Sequence, residues 1–201
     1  AWNHGSVNEA IERSATALPE TGATIVDVHL SLLEEAIAAY YIIAPAEASS
    51  NLARFDGVRY GRRAAMNEGD DLEALYARSR GEGFGPEVQR RILLGTYVLS
   101  AGYADRYYHT AQKARRLIKD AYERLLPSRG GSAGGRGASG SRVCDVVLMP
   151  SSPGPAFVVG EKNSDPLALY LEDVYTVGVN LAGLPAMSVP AGFASVARDG
   201  K

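Results

Sequence analysis

The chain has 201 residues, of which 46% are hydrophobic and 22% are charged, an ordinary composition for one sizeable globular domain. The net charge of -2 gives no reason to expect a protein that binds nucleic acid or a membrane surface. The single cysteine, Cys144, excludes an intrachain disulfide, and no apolar run approaches the roughly 20 residues of a membrane-spanning helix. No signal-peptide pattern opens the chain, so we expect a cytoplasmic protein, and we expect both ends to be cut.

The first third of the chain predicts a helix, a strand and a second helix. Apolar residues at helical spacing predict a helix over residues 7–18, and alternating β-branched residues predict a strand over residues 23–30. The helical pattern resumes at Leu32. Because proline lacks the N–H of the helical hydrogen bond, Pro45 should kink or restart this second helix before it ends near Phe55.

Three further helices are predicted in the middle of the chain. They cover residues 71–80, the segment that begins at Pro86, and residues 103–126. The second of these is apolar almost all round after its first turn, which indicates that it enters a core. The third has a basic face, which we interpret as solvated because no aromatic residues are interleaved with its cations to contact RNA. That face consists of Lys113, Arg115, Arg116 and Lys119.

The last third of the chain is punctuated by glycine, serine and proline. Residues 128–142 form a Gly/Ser tract that predicts a flexible linker, and no Gly-Lys-Ser/Thr follows it to make a phosphate-binding loop. We expect a short buried strand at 143–150, a helix at 164–177 capped by Asp165, and another strand within 180–192. Helices alternating with strands in this way predict a helix-rich α/β fold.

Two charged residues are candidates for chemistry. Arg91 lies in the second turn of an apolar helix, where it forms either a structural salt bridge, with Glu87 as the nearest partner, or a bidentate contact with a ligand carboxylate. Asp173 falls near the C-terminal end of its predicted helix, where the helix dipole disfavours a carboxylate, although a solvated or locally paired aspartate is the favoured interpretation. The three histidines show no metal-ligand spacing, and the residues alone offer no complete catalytic set.

Four segments resemble the amidase signature family, and within it the A subunits of the glutamyl-tRNA(Gln)/aspartyl-tRNA(Asn) amidotransferases. They are YYIIAPAEASSNLARFDGVRYG at 40–61, RSRGEGFG to ARRLI at 78–118, PAF with GEK and DPLALYLEDVYTV at 155–177, and NLAGLPAMSVPAG at 180–192. The resemblance implies an α/β chain that is part of the amidase signature fold, a mixed β-sheet covered by helices. Residues 1–201 would then be the C-terminal portion of a single amidase domain, with the Gly/Ser tract at 128–142 as an insertion.

The resemblance also implies a function, that of a glutaminase subunit which supplies ammonia for amidating Glu-tRNA(Gln) or Asp-tRNA(Asn). The partners would be amidotransferase subunits B and C, and the partner subunit would hold ATP, Mg and most of the misacylated tRNA. No cofactor is expected in this chain itself. The family's Ser–cis-Ser–Lys triad lies N-terminal to the tyrosine pair, and residues 1–39 contain no lysine, so we expect no catalytic residue in this stretch.

The family's glutamine-holding positions do match residues of this chain. By resemblance, Arg91 would bind the α-carboxylate of glutamine, Asp173 would pair with its α-ammonium group, and Tyr40 would line the site. Two alternatives stay open. The chain could belong to a stand-alone amidase acting on small amides, or it could be a non-catalytic scaffold that keeps only partner-binding surfaces.

Overall fold

The computed structural model describes residues 3–31, 33–126, 143–157, 159 and 166–193. The helices within these residues are α1 (Gly5–Ala17), α2 (Leu33–Leu52), α3 (Leu72–Gly83), α4 (Pro86–Leu99), α5 (His109–Leu125), α6 (Pro166–Leu171) and α7 (Thr176–Ala182). A 3-10 turn, Leu18–Thr21, follows α1, and a π-helical turn, Ala104–Tyr108, precedes α5. The chain divides into two compact units. We call Ala38–Lys113 the central unit, and we call Ala1–Ile37 together with Ala114–Lys201 the terminal unit.

The central unit is built on the close approach of α2 and α4. Gly95 of α4 is buried, and a Cβ atom there would collide with the carbonyl group of Pro45 and lie 2.8 Å from Ser49 Oγ. Glycine is therefore required at this position, because any side chain would push the two helices apart. Apolar side chains from three helices form the core of this unit: Ala39, Ile43, Ala46, Leu75 and Val98.

Helix α2 corrects one part of the prediction made for Pro45, namely that the helix restarts there. The helix does not restart there but continues from Leu33 to Leu52, so it also ends before the predicted Phe55. Proline inside a helix costs about 3 kcal/mol, because it removes one hydrogen bond and crowds the preceding turn. Pro45 is fully buried, and its carbonyl lies against Gly95. Burial of the ring and contact with α4 offset that local cost.

The other predicted helices of the central unit are confirmed. Helix α3 begins after Asp71, whose carboxylate accepts a hydrogen bond from the backbone N–H of Ala74 at 2.8 Å. It runs to Gly83, three residues beyond its predicted end. Helix α4 begins with Pro86 at its first position, where the missing N–H has no intrahelical partner to lose.

The terminal unit contains α1, α6, α7 and most of α5, and the helices predicted over residues 7–18 and 103–126 are confirmed. Arg115 of α5 donates a hydrogen bond from Nε to the carbonyl of Leu181 at 3.0 Å, which ties α5 to the end of α7. The N-terminal segment is held by the Tyr175 hydroxyl, which donates to Asn3 Oδ1 at 2.6 Å. The core of this unit includes Ile118, Ala121, Tyr122, Val174, Val177 and Leu181.

The three predicted strands are absent from the residues that the structure describes. Residues 23–30, 143–150 and 184–192 have neither helix nor strand structure. Side chains expected inside a sheet are exposed instead, with Val26 at 51%, Val146 at 78% and Val189 at 65% of full exposure. A strand needs a neighbouring strand to satisfy its backbone N–H and C=O groups, and none of these segments finds one within the described chain. The helical part of the predicted α/β class is therefore confirmed, and its sheet is not seen in the described residues.

Several predictions fall outside the described residues. The Gly/Ser tract at 128–142 and the capping residue Asp165 are among them. In the part of the chain that is described, no helix combines the length and the apolar character that crossing a membrane requires.

Candidate functional site

Arg91 is held by a carboxylate on its own helix. Its Nε donates to Glu87 Oε1 at 2.9 Å, one turn earlier on α4, and the Arg91 side chain keeps 36% of its full exposure. The hydrogen bond that Arg91 donates to Glu87 raises the pKa of Arg91; partial burial acts against this, and the neighbouring Tyr40 hydroxyl adds to the increase. The salt bridge with Glu87 that the sequence predicted as the structural alternative is confirmed. This salt bridge leaves other donors of Arg91 available, because a guanidinium has five N–H donors.

Tyr40 is the second partner of Arg91, and it comes from another helix of the same unit. The phenol of Tyr40, on α2, lies close enough to the guanidinium on α4 to help raise the pKa of Arg91. The Tyr40 ring also meets the ring of Tyr41 edge to face, with centroids 5.1 Å apart and planes at 88°. The structure therefore brings together two of the three residues that the sequence predicted for a glutamine site.

Gly95 explains why these two side chains can meet. Arg91 lies one helical turn before Gly95, and Tyr40 lies slightly more than one turn before Pro45. The direct contact between Gly95 and the Pro45 carbonyl thus sets the spacing of the helices next to the Tyr40–Arg91 pair. Sequence reasoning missed this residue. The available signal was a glycine inside an apolar helix, which is unfavourable unless another backbone approaches closely.

Glu87 binds two arginines, one with each oxygen. Oε1 accepts from Arg91 Nε, and Oε2 accepts from an Arg90 terminal nitrogen at 2.7 Å. Because Glu87 engages Arg91 through Nε and a single oxygen, donors on the terminal nitrogens of Arg91 are left for another acceptor. A planar carboxylate is the acceptor that such a pair of nitrogens binds best.

Asp173 belongs to the terminal unit and lies in a different local setting from the one predicted. The single helix expected over 164–177 is interrupted: α6 ends at Leu171, and a turn at 172–175 precedes α7. The Asp173 carbonyl accepts hydrogen bonds from the backbone N–H groups of Thr176 and Val177, at 3.1 and 3.0 Å. Asp173 also lies two residues after the end of α6, and its backbone N–H donates to the Tyr170 carbonyl at 3.3 Å, so it does lie near the C-terminal end of a helix, although that helix is shorter than predicted.

The described residues offer no metal-binding cluster. No three His, Cys, Asp or Glu side chains within them gather as they would around a metal ion. What the geometry offers instead is an arginine, held at one nitrogen, beside a tyrosine hydroxyl. That combination suits the recognition of a small anionic group such as a carboxylate.

Comparison with known proteins places the chain in a family. Residues 3–197 match the Amidase family. The chain is 54% identical over 187 residues to the A subunit of the glutamyl-tRNA(Gln) amidotransferase of Halorhodospira halophila, covering 93% of the chain and 35% of that relative. The protein of the same name from Pseudomonas fluorescens is 52% identical over 187 residues, covering 93% of the chain and 35% of the relative, and that from Coxiella burnetii is 51% identical over 190 residues, covering 94% and 36%. The chain thus spans about a third of the length of these relatives, and it belongs to the amidase family.

Proposed function

We propose that this chain is part of the glutaminase subunit of a tRNA-dependent amidotransferase. The observation that carries the proposal is the identity of 51–54%, over more than nine-tenths of the chain, to relatives named as A subunits of glutamyl-tRNA(Gln) amidotransferase. The pairing of Tyr40 with Arg91 supports it, because these are two of the positions that match the family's glutamine-holding residues. The chain would hold glutamine while catalytic residues outside this stretch cleave it.

Each candidate residue has a defined part in holding the substrate. The terminal nitrogens of Arg91 bind the α-carboxylate of glutamine, with Tyr40 beside them, and Asp173 pairs with the α-ammonium group. A serine of the family's Ser–cis-Ser–Lys triad attacks the side-chain amide carbon, the C–N bond breaks, and ammonia leaves. Water then releases glutamate from the acyl-serine.

The ammonia is used elsewhere in the assembly. Subunits B and C are the proposed partners, and the partner subunit holds ATP, Mg and the misacylated tRNA that accepts the ammonia. No cofactor is assigned to the chain itself. The location that fits this role is the cytoplasm, or an organelle if the source is eukaryotic.

The proposal extends to the fold. The exposed apolar segments at 23–30, 143–150 and 184–192 would join a mixed β-sheet in a polypeptide of the relatives' full length. By the resemblance, residues 1–201 would be the C-terminal portion of that single domain. An exposed apolar segment without strand partners would otherwise be an aggregation hazard.

The test uses a hybrid subunit, in which this chain replaces the matching stretch of the Halorhodospira halophila relative and is produced with that organism's partner subunits. We expect glutamine hydrolysis that the partners stimulate and that exceeds hydrolysis of simple amides. Equal hydrolysis of simple amides without any partner would favour a stand-alone amidase. A hybrid that assembles with the partners but hydrolyses no amide, beside an active unmodified relative, would favour the non-catalytic scaffold.

A further inference from the structure

We propose that Glu87 is a positioning residue for the glutamine site, which it serves by fixing the orientation of the Arg91 guanidinium. Glu87 would touch no substrate atom. Its carboxylate binds Arg91 at Nε, and so turns the terminal nitrogens toward the ligand carboxylate. The inference rests on the function proposed above, and the experiment below separates the failure of one from the failure of the other.

Glu87 is itself well anchored. It lies in the first turn of α4, immediately after Pro86, where the helix dipole favours a carboxylate. Its second oxygen is bound by Arg90 at 2.7 Å, so both oxygens of the carboxylate have a defined cationic partner. A carboxylate held at both oxygens has a fixed plane, and the Nε–H of Arg91 must meet it along one direction.

Two effects of Glu87 on ligand binding oppose each other. As an anion it offsets part of the charge of Arg91, which weakens attraction for a ligand carboxylate. As an anchor it orders a long side chain in advance, which lowers the entropy lost on binding. Arg91 is more than one-third exposed, so solvent screens the charge effect, while the ordering effect persists. We therefore expect the anchoring effect to dominate.

Two observations together separate anchoring from a generic surface ion pair: the bond is made to Nε, and Tyr40 of a second helix lies beside the guanidinium. A salt bridge through the terminal nitrogens would occupy the face that a ligand needs. The bond to Nε leaves that face available beside Tyr40, the second partner of the guanidinium. Glutamate stands four residues before arginine here, which is the favourable order on a helix, so the pair persists without a ligand.

The experiment measures glutamine hydrolysis by the hybrid subunit in complex with its partners. We expect Glu87→Ala to raise the KM for glutamine about tenfold with kcat within about twofold, because binding is lost equally from ground state and transition state. Glu87→Gln should restore most of the affinity, since its amide oxygen still accepts from Nε. The matched control is Glu123→Ala, which removes the exposed pair between Glu123 and Lys119 on α5 and should leave KM unchanged.

A double-mutant cycle with Arg91→Ala decides between positioning and mere helix stabilisation. If Glu87 acts through Arg91, Glu87→Ala adds nothing once Arg91 is alanine. An unchanged KM in Glu87→Ala, beside a strong rise in Arg91→Ala, would overturn the positioning role and leave the glutamine site intact. An unchanged KM in Arg91→Ala would instead overturn the proposed glutamine site.

A second measurement does not depend on activity. In the 201-residue chain, the Arg91 Nε–H proton should exchange with water slowly, and Glu87→Ala should accelerate that exchange at least severalfold while Glu87→Gln largely preserves it. The same exchange rate in all three proteins would mean that Glu87 does not hold Arg91, and the inference would fail even if the hybrid subunit proved inactive.

Discussion

Helices α4 and α5 each carry an arginine whose Nε is bound by a carboxylate four residues away. Only the pair on α4 has the surroundings expected of a ligand-binding site. On α5, Arg116 binds Asp120 at 2.8 Å, and the arginine side chain is 70% exposed. On α4, Arg91 binds Glu87 at nearly the same distance, but its exposure is about half as great and a second helix contributes Tyr40. The difference lies in tertiary packing rather than in the pair itself, because isolated surface pairs contribute little to stability or binding.

The largest expected difference between the two helices appears when each arginine is removed in turn. We expect Arg91→Ala to raise the KM for glutamine about a hundredfold in the hybrid subunit, because loss of a charged contact to bound ligand costs about 2–3 kcal/mol. Arg116→Ala on α5 is the matched control and should leave KM within about twofold. Steady-state kinetics with purified complexes distinguishes the two, and equal effects of both substitutions would contradict a specific role for α4.

The packing that brings Tyr40 to Arg91 can be tested at Gly95. Gly95→Ala should lower the free energy of unfolding by about 2 kcal/mol, because the added methyl group meets the Pro45 backbone, which cannot move aside like a flexible side chain. Gly81→Ala in α3 is the control, since a Cβ there meets nothing within 4 Å and should stabilise the helix by up to about 1 kcal/mol. Urea denaturation of the chain measures both. A Gly95→Ala chain as stable as the original would mean that α2 and α4 do not approach as described.

Helices were predictable from this sequence because the signals that define them are local. Asp71 and Pro86 mark the starts of α3 and α4, and an apolar stripe marks the buried face of α5. Strands were not predictable in the same way, since alternating apolar residues show only that a segment could pair with another strand. Pairing needs a neighbouring strand, which residues 23–30 lack within the described chain. The restart expected at Pro45 was wrong for a related reason, because the cost of the proline is local and its compensation comes from α4.

The hydroxyl of Tyr40 offers a finer test of what distinguishes α4 from α5. Tyr40→Phe keeps the ring and its edge-to-face contact with Tyr41 but removes the hydroxyl that lies beside Arg91. We expect a rise of about threefold to tenfold in the KM for glutamine, corresponding to the roughly 1 kcal/mol of one hydrogen bond. Tyr60→Phe removes the hydroxyl of an exposed tyrosine elsewhere in the central unit and should leave KM unchanged. A Tyr40→Phe enzyme that behaves like the original would limit Tyr40 to packing.

The candidate site was only partly predictable. The helical spacing of Glu87 and Arg91 was enough to anticipate their salt bridge, because residues four apart on a helix are neighbours. The contact of Arg91 with Tyr40 depends on a close helix approach that no local pattern encodes. The helix predicted around Asp173 was too long, because the break between α6 and α7 falls inside an apolar pattern that is typical of one continuous helix.

A third ion pair is expected to give the smallest effect, a change in the stability of the fold at acid pH. It tests whether an ion pair contributes to that stability without any ligand site beside it. Arg78 binds Asp70 at 2.7 Å, and its side-chain hydrogen bond, with help from the backbone N–H of Asn67, lowers the pKa of Asp70. The unfolded chain therefore binds a proton to Asp70 more readily, so this pair stabilises the fold above about pH 4 and the contribution disappears as the pH falls through the lowered pKa. Asp70→Asn should reduce the shift in urea midpoint between about pH 6 and pH 3, whereas Glu68→Gln, at an exposed carboxylate of the same unit, should not. An identical reduction in both variants would show that net charge, rather than this pair, governs the acid response.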